Sequence, residues 1–340
     1  MPFARSEDGV RLYYETVGAG EPLLLVSGQG GDRHMWDDIR RDFADRHLVV
    51  TFDHRGTGDS DKPEAPPYST RGFAADAVAV LGAAGISRAH VYGISMGGRI
   101  GQWLGIEHKE RVGALVLGCT TPGNAHGLCR PPEIDAVMKA GEAQRLIDLL
   151  VSPEWRALHP EFSEWMERRA QQPIPPHAQR LHYLASEAHD AWDRLPDIEA
   201  PTLIIHGTDD QVNVTANAPL LAERIPGAEL HLVERGRHLY LVEFRDEASR
   251  VVNEFLDRHP LAAADCSLAS EGRGDRDSPP SAARLTTPLA PMTPLLGGSS
   301  ASCRQPRKGV PRWQAPVTAA PGRLFGRHRG WSPATEGDGP

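Results

Sequence analysis

Three residues far apart in this chain, Ser95, Asp210 and His238, are of the types that together make an alcohol reactive in water. A serine hydroxyl is a weak nucleophile unless a base takes its proton, and an imidazole base works best when a carboxylate fixes its orientation. Ser95 is the centre of Gly93-Ile94-Ser95-Met96-Gly97, a G-x-S-x-G motif where an apolar run ends and a helical pattern begins. In the sharp turn such a motif makes, side chains two residues to either side would collide with the neighbouring strand and helix, so glycine stands at both places. The turn exposes the hydroxyl and aims the partly positive end of the following helix at it.

The base and the acid are expected downstream, each just past an apolar run. "VERGRHLYLVEF" puts His238 there, and of the fifteen histidines it is the one a loop could swing to Ser95. "IIHGTDDQV" offers two carboxylates, Asp209 and Asp210. Asp210, three residues after Gly207, is favoured, and the other is then a turn residue. His206 lies inside the preceding run and reads as a core residue or a support for the acid. The chemistry of such a set is acyl transfer, in which an attacked carbonyl becomes an oxyanion and needs N–H donors. The Met96 amide, directly after the nucleophile, is one candidate. The loop "SGQGGDRHMW" supplies the other, with Gln29 as the expected donor and Gly28, Gly30 and Gly31 allowing close approach. That loop matches neither G-x-G-x-x-G nor G-x-x-x-x-G-K-[ST], which argues against a bound nucleotide. The expected chemistry needs no metal and no organic cofactor. The four cysteines, Cys119, Cys129, Cys266 and Cys303, form no C-x-x-C pair.

These residues need a frame. Short apolar runs at 22–28, 47–53, 90–95, 114–120, 202–208 and 229–234 read as buried strands, and "VRLYYETVG" (10–18) alternates like an edge strand. Stretches with helical spacing, such as 70–85, 96–109 and 215–225, lie between them. Strand and helix in alternation imply an α/β class with a mostly parallel sheet and helices on both faces. Ser95, Asp210 and His238 each fall at a strand's carboxyl end, where the crevices of such sheets lie.

The alternation stops between about 122 and 197. Helical stretches at 142–158 and 161–170 occur there, and no strand is read. The expectation is a helical lid, 122–197, inserted into a core made of 1–121 and 198–259. Trp155, Trp165, Tyr183 and Trp192 in the lid are candidates for lining a substrate pocket, although aromatic residues at helical spacing also simply pack. Composition changes again near 260: the last 81 residues hold 12 prolines and 10 glycines, with 10 Lys or Arg against 6 Asp or Glu. This is expected to be a disordered low-complexity tail, 260–340. The whole chain of 340 residues is 40% apolar and carries a net charge of −8. That supports a buried core and argues against nucleic acid as a partner. The N-terminus has no apolar signal-peptide region and no run reaches the length of a membrane span. With sparse, unpatterned cysteine, the expectation is a cytoplasmic protein that binds no membrane.

Taken together, "SGQGGDRHMW", "FDHRGTGDS" (52–60), the serine motif, "HGTDDQV" and "GRHLYLVE" resemble the α/β-hydrolase superfamily over residues 8–258. The Asp53, Arg55, Gly56, Gly58 and Ser60 pattern of that family is intact and implies a loop-shaping role. "GISMGGRIGQWLG" followed by "ERVGALVLGCTTPG" is similar to the 3-oxoadipate enol-lactonase and small-ester hydrolase branch. Departures include Ser27-Gly28 where many members have His-Gly, and Arg237 between Gly236 and His238. The resemblance implies the α/β-hydrolase fold and a serine hydrolase cleaving a small carboxylic ester, lactone or enol-lactone through an acyl-enzyme. Perhydrolysis or carbon–carbon bond hydrolysis on the same residues is the alternative, and a non-catalytic ligand receptor on this fold is the third.

Overall fold

The runs that are apolar at nearly every position become the middle of one sheet. A computed structural model describes residues 2–65, 68–140, 143–170 and 174–262. Its strands are β1 (Phe3–Arg5), β2 (Arg11–Val17), β3 (Glu21–Val26), β4 (His47–Phe52), β5 (Ala89–Ile94), β6 (Val112–Gly118), β7 (Thr202–Gly207) and β8 (Glu229–Val233). They form a single eight-stranded sheet in the order β1-β2-β4-β3-β5-β6-β7-β8. β1 pairs with β2, and β2 with β4, antiparallel; every other pair is parallel. β5, which delivers Ser95, is therefore central, with β6, β7 and β8 to one side of it.

Helices cover both faces, which is why the inner strands read as continuous apolar runs rather than alternating ones. Around the sheet lie α1 (Arg41–Ala44), α2 (Thr70–Ala83) and α3 (Met96–Glu107). α4 (Pro132–Ala140), α5 (Ala143–Leu150), α6 (Pro153–Leu158), α7 (Pro160–Ala170) and α8 (Pro176–Glu187) follow. α9 (Asn217–Arg224), α10 (Tyr240–Glu243) and α11 (Arg245–Asp257) complete the set. On one face Leu24, Val50, Val91, Leu115 and Ile204 pack against Phe73 and Leu81 of α2, Leu104 of α3 and Leu221 of α9. On the other, Leu23, Val49, Val116 and Ile205 pack against Trp36, Phe43 and the α11 residues Val252 and Phe255. Successive strand residues thus serve opposite cores, as the pleat requires.

After β6 the chain leaves the sheet, builds α4 to α8, and returns at β7. The strand-like pairing described in that segment is an isolated bridge between Gly123 and Asp190. The helical stretch expected across 142–158 is two helices, α5 and α6. Ser152 breaks it: its hydroxyl accepts the Trp155 amide at 3.1 Å, and Pro153 occupies the first helical position. Serine then proline is a helix start, which the apolar spacing alone did not reveal. β1 also escaped the sequence reading, being three residues long. No helix among the described residues is long and apolar enough to cross a membrane. The expected tail lies, beyond residue 262, outside the described residues.

Candidate active site

Ser95 sits between β5 and α3 with φ 56° and ψ −118°, a backbone region that costs a non-glycine residue about 1–3 kcal/mol. The surroundings fix it from several directions. Its amide donates to Gly118 O at 2.9 Å, and its carbonyl accepts from Gly98 N, Arg99 N and Thr120 Oγ1 at 3.1, 3.2 and 2.7 Å. The flanking glycines are required by close approach. A Cβ on Gly93 would lie 2.2 Å from Gly97 O, and one on Gly97 would lie 2.1 Å from Val26 O. Strand, turn and helix are thus pressed together with no room for a methyl group, and the serine side chain is left partly exposed at the bend.

Around that hydroxyl the structure assembles the expected residues. Ser95 Oγ is 3.1 Å from His238 Nε2, and His238 Nδ1 is 2.9 Å from Asp210 Oδ2. Asp210 is fully enclosed. Its Oδ1 accepts the amides of Val212 and Asn213 at 2.8 and 3.0 Å, so both carboxylate oxygens have partners. Burial by itself pushes this carboxyl up, but the neighbouring His238 and the bonds from His206 and His238 outweigh it and hold Asp210 well below the usual carboxylate range. Asp209, the other candidate, is exposed, with its amide donating to Gly236 O at 2.9 Å.

His206 braces Asp210. Its Nε2 lies 3.1 Å from Asp210 Oδ2 and donates to Asn213 O at 2.7 Å, which ties the far end of the Asp210 turn back to β7. The loop carrying His238 is held by the helical insertion. The His238 and Leu239 amides donate to Leu149 O and Leu150 O at 3.4 and 2.8 Å, and the Arg237 guanidinium reaches Asp148 O. These are the carbonyls at the end of α5 that no helical amide can reach, so the insertion's helix end and the histidine loop complete each other. The intervening Arg237, a departure at the sequence level, thus has a structural task.

Of the two expected oxyanion donors, Met96 follows Ser95 directly and Gln29 follows Gly28, which abuts it. Met96 is the first residue of α3, so its amide has no carbonyl within the helix. The loop carrying Gln29 runs along the serine; a Cβ on Gly28 would come within 3.3 Å of Ser95 Cβ. Gly28 to Gly31 form a turn closed by Gly31 N donating to Gly28 O at 3.0 Å, with Gly30 at φ 67° in the third position. In "FDHRGTGDS", Asp53 accepts the amides of Arg33 and Asp59 at 2.8 Å each and Arg55 bridges Asp76 and Asp8. These bonds shape the loop beside the expected oxyanion segment.

The tryptophan candidates of the insertion are partly buried against the two cores, Trp155 and Trp165 on one and Trp192 on the other. Trp155 stacks on His159 with ring centres 4.2 Å apart, Trp165 stacks on Phe162 at 5.8 Å, and Trp192 stacks on His126 at 5.3 Å. None of these ring contacts involves Ser95, Asp210 or His238. Tyr183 is half-buried on α8, next to the buried His182. The sequence reading missed His182 and the α5 carbonyls. Neither carries a local signal, since one is a histidine in an ordinary helical pattern and the others are backbone atoms.

Comparison with known proteins agrees with this architecture. The family model for the alpha/beta hydrolase fold matches residues 21–244. The protein named "Putative carbamate hydrolase RutD" from Azorhizobium caulinodans is 34% identical over 264 residues, covering 75% of this chain and 97% of that protein. 3-Oxoadipate enol-lactonase 2 from Acinetobacter baylyi is 29% identical over 255 residues, covering 73% and 94%. Among solved structures, Est816, described as an N-acyl homoserine lactone degrading enzyme, matches with a TM-score of 0.66 at 32% identity, over 75% of this chain and all of that one. With a matching family model across most of the sheet and hydrolases as its relatives, this chain belongs to the α/β-hydrolase family and is a hydrolase.

Proposed function

We propose that the protein cleaves a small carboxylic ester or lactone, enol-lactones included, through Ser95, His238 and Asp210. The observation that carries this reading is the unbroken path from Ser95 Oγ to His238 Nε2 and from His238 Nδ1 to the buried Asp210 carboxylate. His238 takes the hydroxyl proton as Ser95 Oγ bonds to the carbonyl carbon. The carbonyl oxygen becomes an oxyanion facing the Met96 and Gln29 amides. When the tetrahedral centre collapses, the carbon–oxygen bond to the leaving alcohol breaks and His238 gives that oxygen its proton. In a lactone the alcohol stays tethered to the acyl group. Water then attacks the acyl-enzyme by the same steps and frees Ser95. Asp210 keeps the imidazole in the tautomer that presents a bare Nε2 to the serine and stabilises the imidazolium that forms.

A second reading follows from the RutD relatives: a carbamate presents the same kind of carbonyl, and the same steps would pass through a carbamoyl-enzyme. The test is a fluorophosphonate probe together with a panel of p-nitrophenyl esters, aliphatic lactones, N-acyl homoserine lactones and carbamates. The expected result is labelling that vanishes in Ser95→Ala and turnover of esters or lactones above carbamates. Equal labelling of Ser95→Ala would sink the serine mechanism and favour a non-catalytic receptor. Labelling with no turnover across the panel would move the reading to perhydrolysis or carbon–carbon bond hydrolysis.

A further inference from the structure

The segment expected to hold the oxyanion is tied down by buried imidazoles, one of which comes from the helical insertion. His182, on α8, is fully enclosed. Its Nδ1 lies 3.3 Å from the Gly30 amide and its Nε2 lies 2.8 Å from Arg55 O. A backbone N–H can only donate and a carbonyl can only accept, so His182 carries its proton on Nε2 and offers a bare Nδ1 to Gly30. His54, from the "FDHRGTGDS" loop, is equally enclosed and holds Ser27 O with its Nε2 at 3.0 Å. Burial pushes both imidazoles down, His54 to about 3, which agrees with neutral rings.

Three successive peptide planes are therefore pinned. Ser27 O accepts from His54, Gly28 O accepts from Gly31 N, and Gly30 N donates to His182. The Gly28–Gln29 peptide is trans, so the Gln29 N–H points opposite to the engaged Gly28 carbonyl. Its direction is set only if the planes on either side cannot rotate. Gly30 is the residue most able to rotate, having no Cβ and sitting at φ 67°, and its amide is the one His182 engages. The insertion braces the same loop twice more. Ile174 Cδ1 would be 3.0 Å from a Cβ on Gly30, and Arg169 Nη1 donates to Asp32 Oδ1 at 2.7 Å.

We propose that His182 is a positioning residue for oxyanion stabilisation: by accepting the Gly30 amide it fixes the Gln29–Gly30 peptide, and so keeps the adjoining peptide from turning its Gln29 N–H away from the developing charge, and the insertion thereby acts on the chemical step. This rests on the serine-hydrolase reading above. Two near-isosteres separate the two bonds of the ring. His182→Asn keeps an acceptor where Nδ1 stood and loses the donor to Arg55 O. His182→Gln keeps a donor where Nε2 stood and loses the acceptor for Gly30.

The full-length chain is assayed with p-nitrophenyl acetate. Complete loss of an oxyanion donor typically costs about 10²–10³-fold, and a donor left in place but no longer aimed should cost less, about 10- to 100-fold. The expected result is that kcat falls by that much in His182→Gln and in His182→Leu, with KM changed less than about twofold, and that His182→Asn recovers most of the loss. Binding of a phenylboronic acid, which forms a tetrahedral adduct on serine, should weaken in parallel with kcat. Equal activity in the Asn and Gln variants, or a loss confined to KM, would overturn the positioning role. Thermal melting shows whether the variants fold. If they do not, the wild type decides by NMR: a 15N–15N coupling across the hydrogen bond from Gly30 N to His182 Nδ1 supports the proposal, and a protonated His182 Nδ1 overturns it. Wild-type turnover that survives in Ser95→Ala is a different failure, because it removes the serine-hydrolase reading underneath.

Discussion

At Ser95 the backbone is bent into a region most residues avoid, and four hydrogen bonds to its own amide and carbonyl hold it there. None of them uses the hydroxyl, so reactivity and strain are separable: the side chain is free to meet His238 while the main chain is over-determined. The same economy governs Asp210. One carboxylate oxygen is used up by two backbone amides, and the other faces His238 and His206. An amide in its place would bring an NH₂ group against donors and would favour the imidazole tautomer with the proton on Nε2, facing the serine. Asp210→Asn is therefore expected to lower kcat on an activated ester by about 10⁴-fold with little change in the far-UV circular dichroism. A loss of less than tenfold would mean that another group orients His238.

At the scale of the elements, the loops at the carboxyl edge of the sheet are stiffened by polar bonds that their composition requires. Arg55 lies between Asp76, at 2.6 Å, and Asp8, at 2.7 Å, and links the loop after β4 to α2 and to the turn between β1 and β2. The hydrogen bond from Arg55 is the main cause that holds the Asp8 carboxyl down, from 3.8 to about 2. A carboxyl lowered in the folded state stabilises the fold fully above its unfolded value, and that stabilisation is lost as pH falls through the folded value. Because Asp8 is largely exposed, solvent screening limits its contribution to about 1 kcal/mol or less. Thermal melting of the wild type and Asp8→Asn should differ by a few degrees at neutral pH, and the gap should close as pH falls from about 4 towards about 2. A gap that is constant with pH would show that the ion pair does not stabilise the fold.

At the scale of the molecule, the helical insertion is bonded to the candidate site at several points. The end of α5 receives the amides of His238 and Leu239, α8 reaches the expected oxyanion loop through His182, and Arg99, one turn past Ser95, donates to Ser186 O and Oγ at 2.5 and 2.8 Å. The His238 loop, the helix after Ser95 and the expected oxyanion loop are each fastened to the same segment. All of these contacts lie within residues 2–262, and the family match ends at 244. A chain ending after residue 262 is therefore expected to keep the melting temperature within a few degrees and to keep turnover on the best ester of the panel. The cut should not fall earlier, because Leu261 is buried and its amide donates to Glu21 Oε1, at the start of β3, at 3.1 Å. Loss of activity with the fold intact would assign a catalytic task to residues 263–340.

The sequence by itself determined every strand but β1, and the serine turn, because these rest on local rules. An apolar run of five or six residues covered on both faces is recognisable wherever it occurs. Two glycines flanking a serine encode a close approach of strand and helix that the chain must make within five residues. It favoured Asp210 over Asp209 as the expected acid, but which carboxylate turns inward towards His238, 28 residues after Asp210, depends on how the loops pack. The break at Ser152-Pro153 was legible in principle; apolar periodicity concealed it. The hold of the insertion on the site was not legible at all. Its bonds join residues 87 to 152 positions apart, several through backbone carbonyls that every residue has, so no residue type marks them in advance. Tertiary structure decided them because an atom at the end of a helix gains a partner only when the rest of the chain has brought one to it.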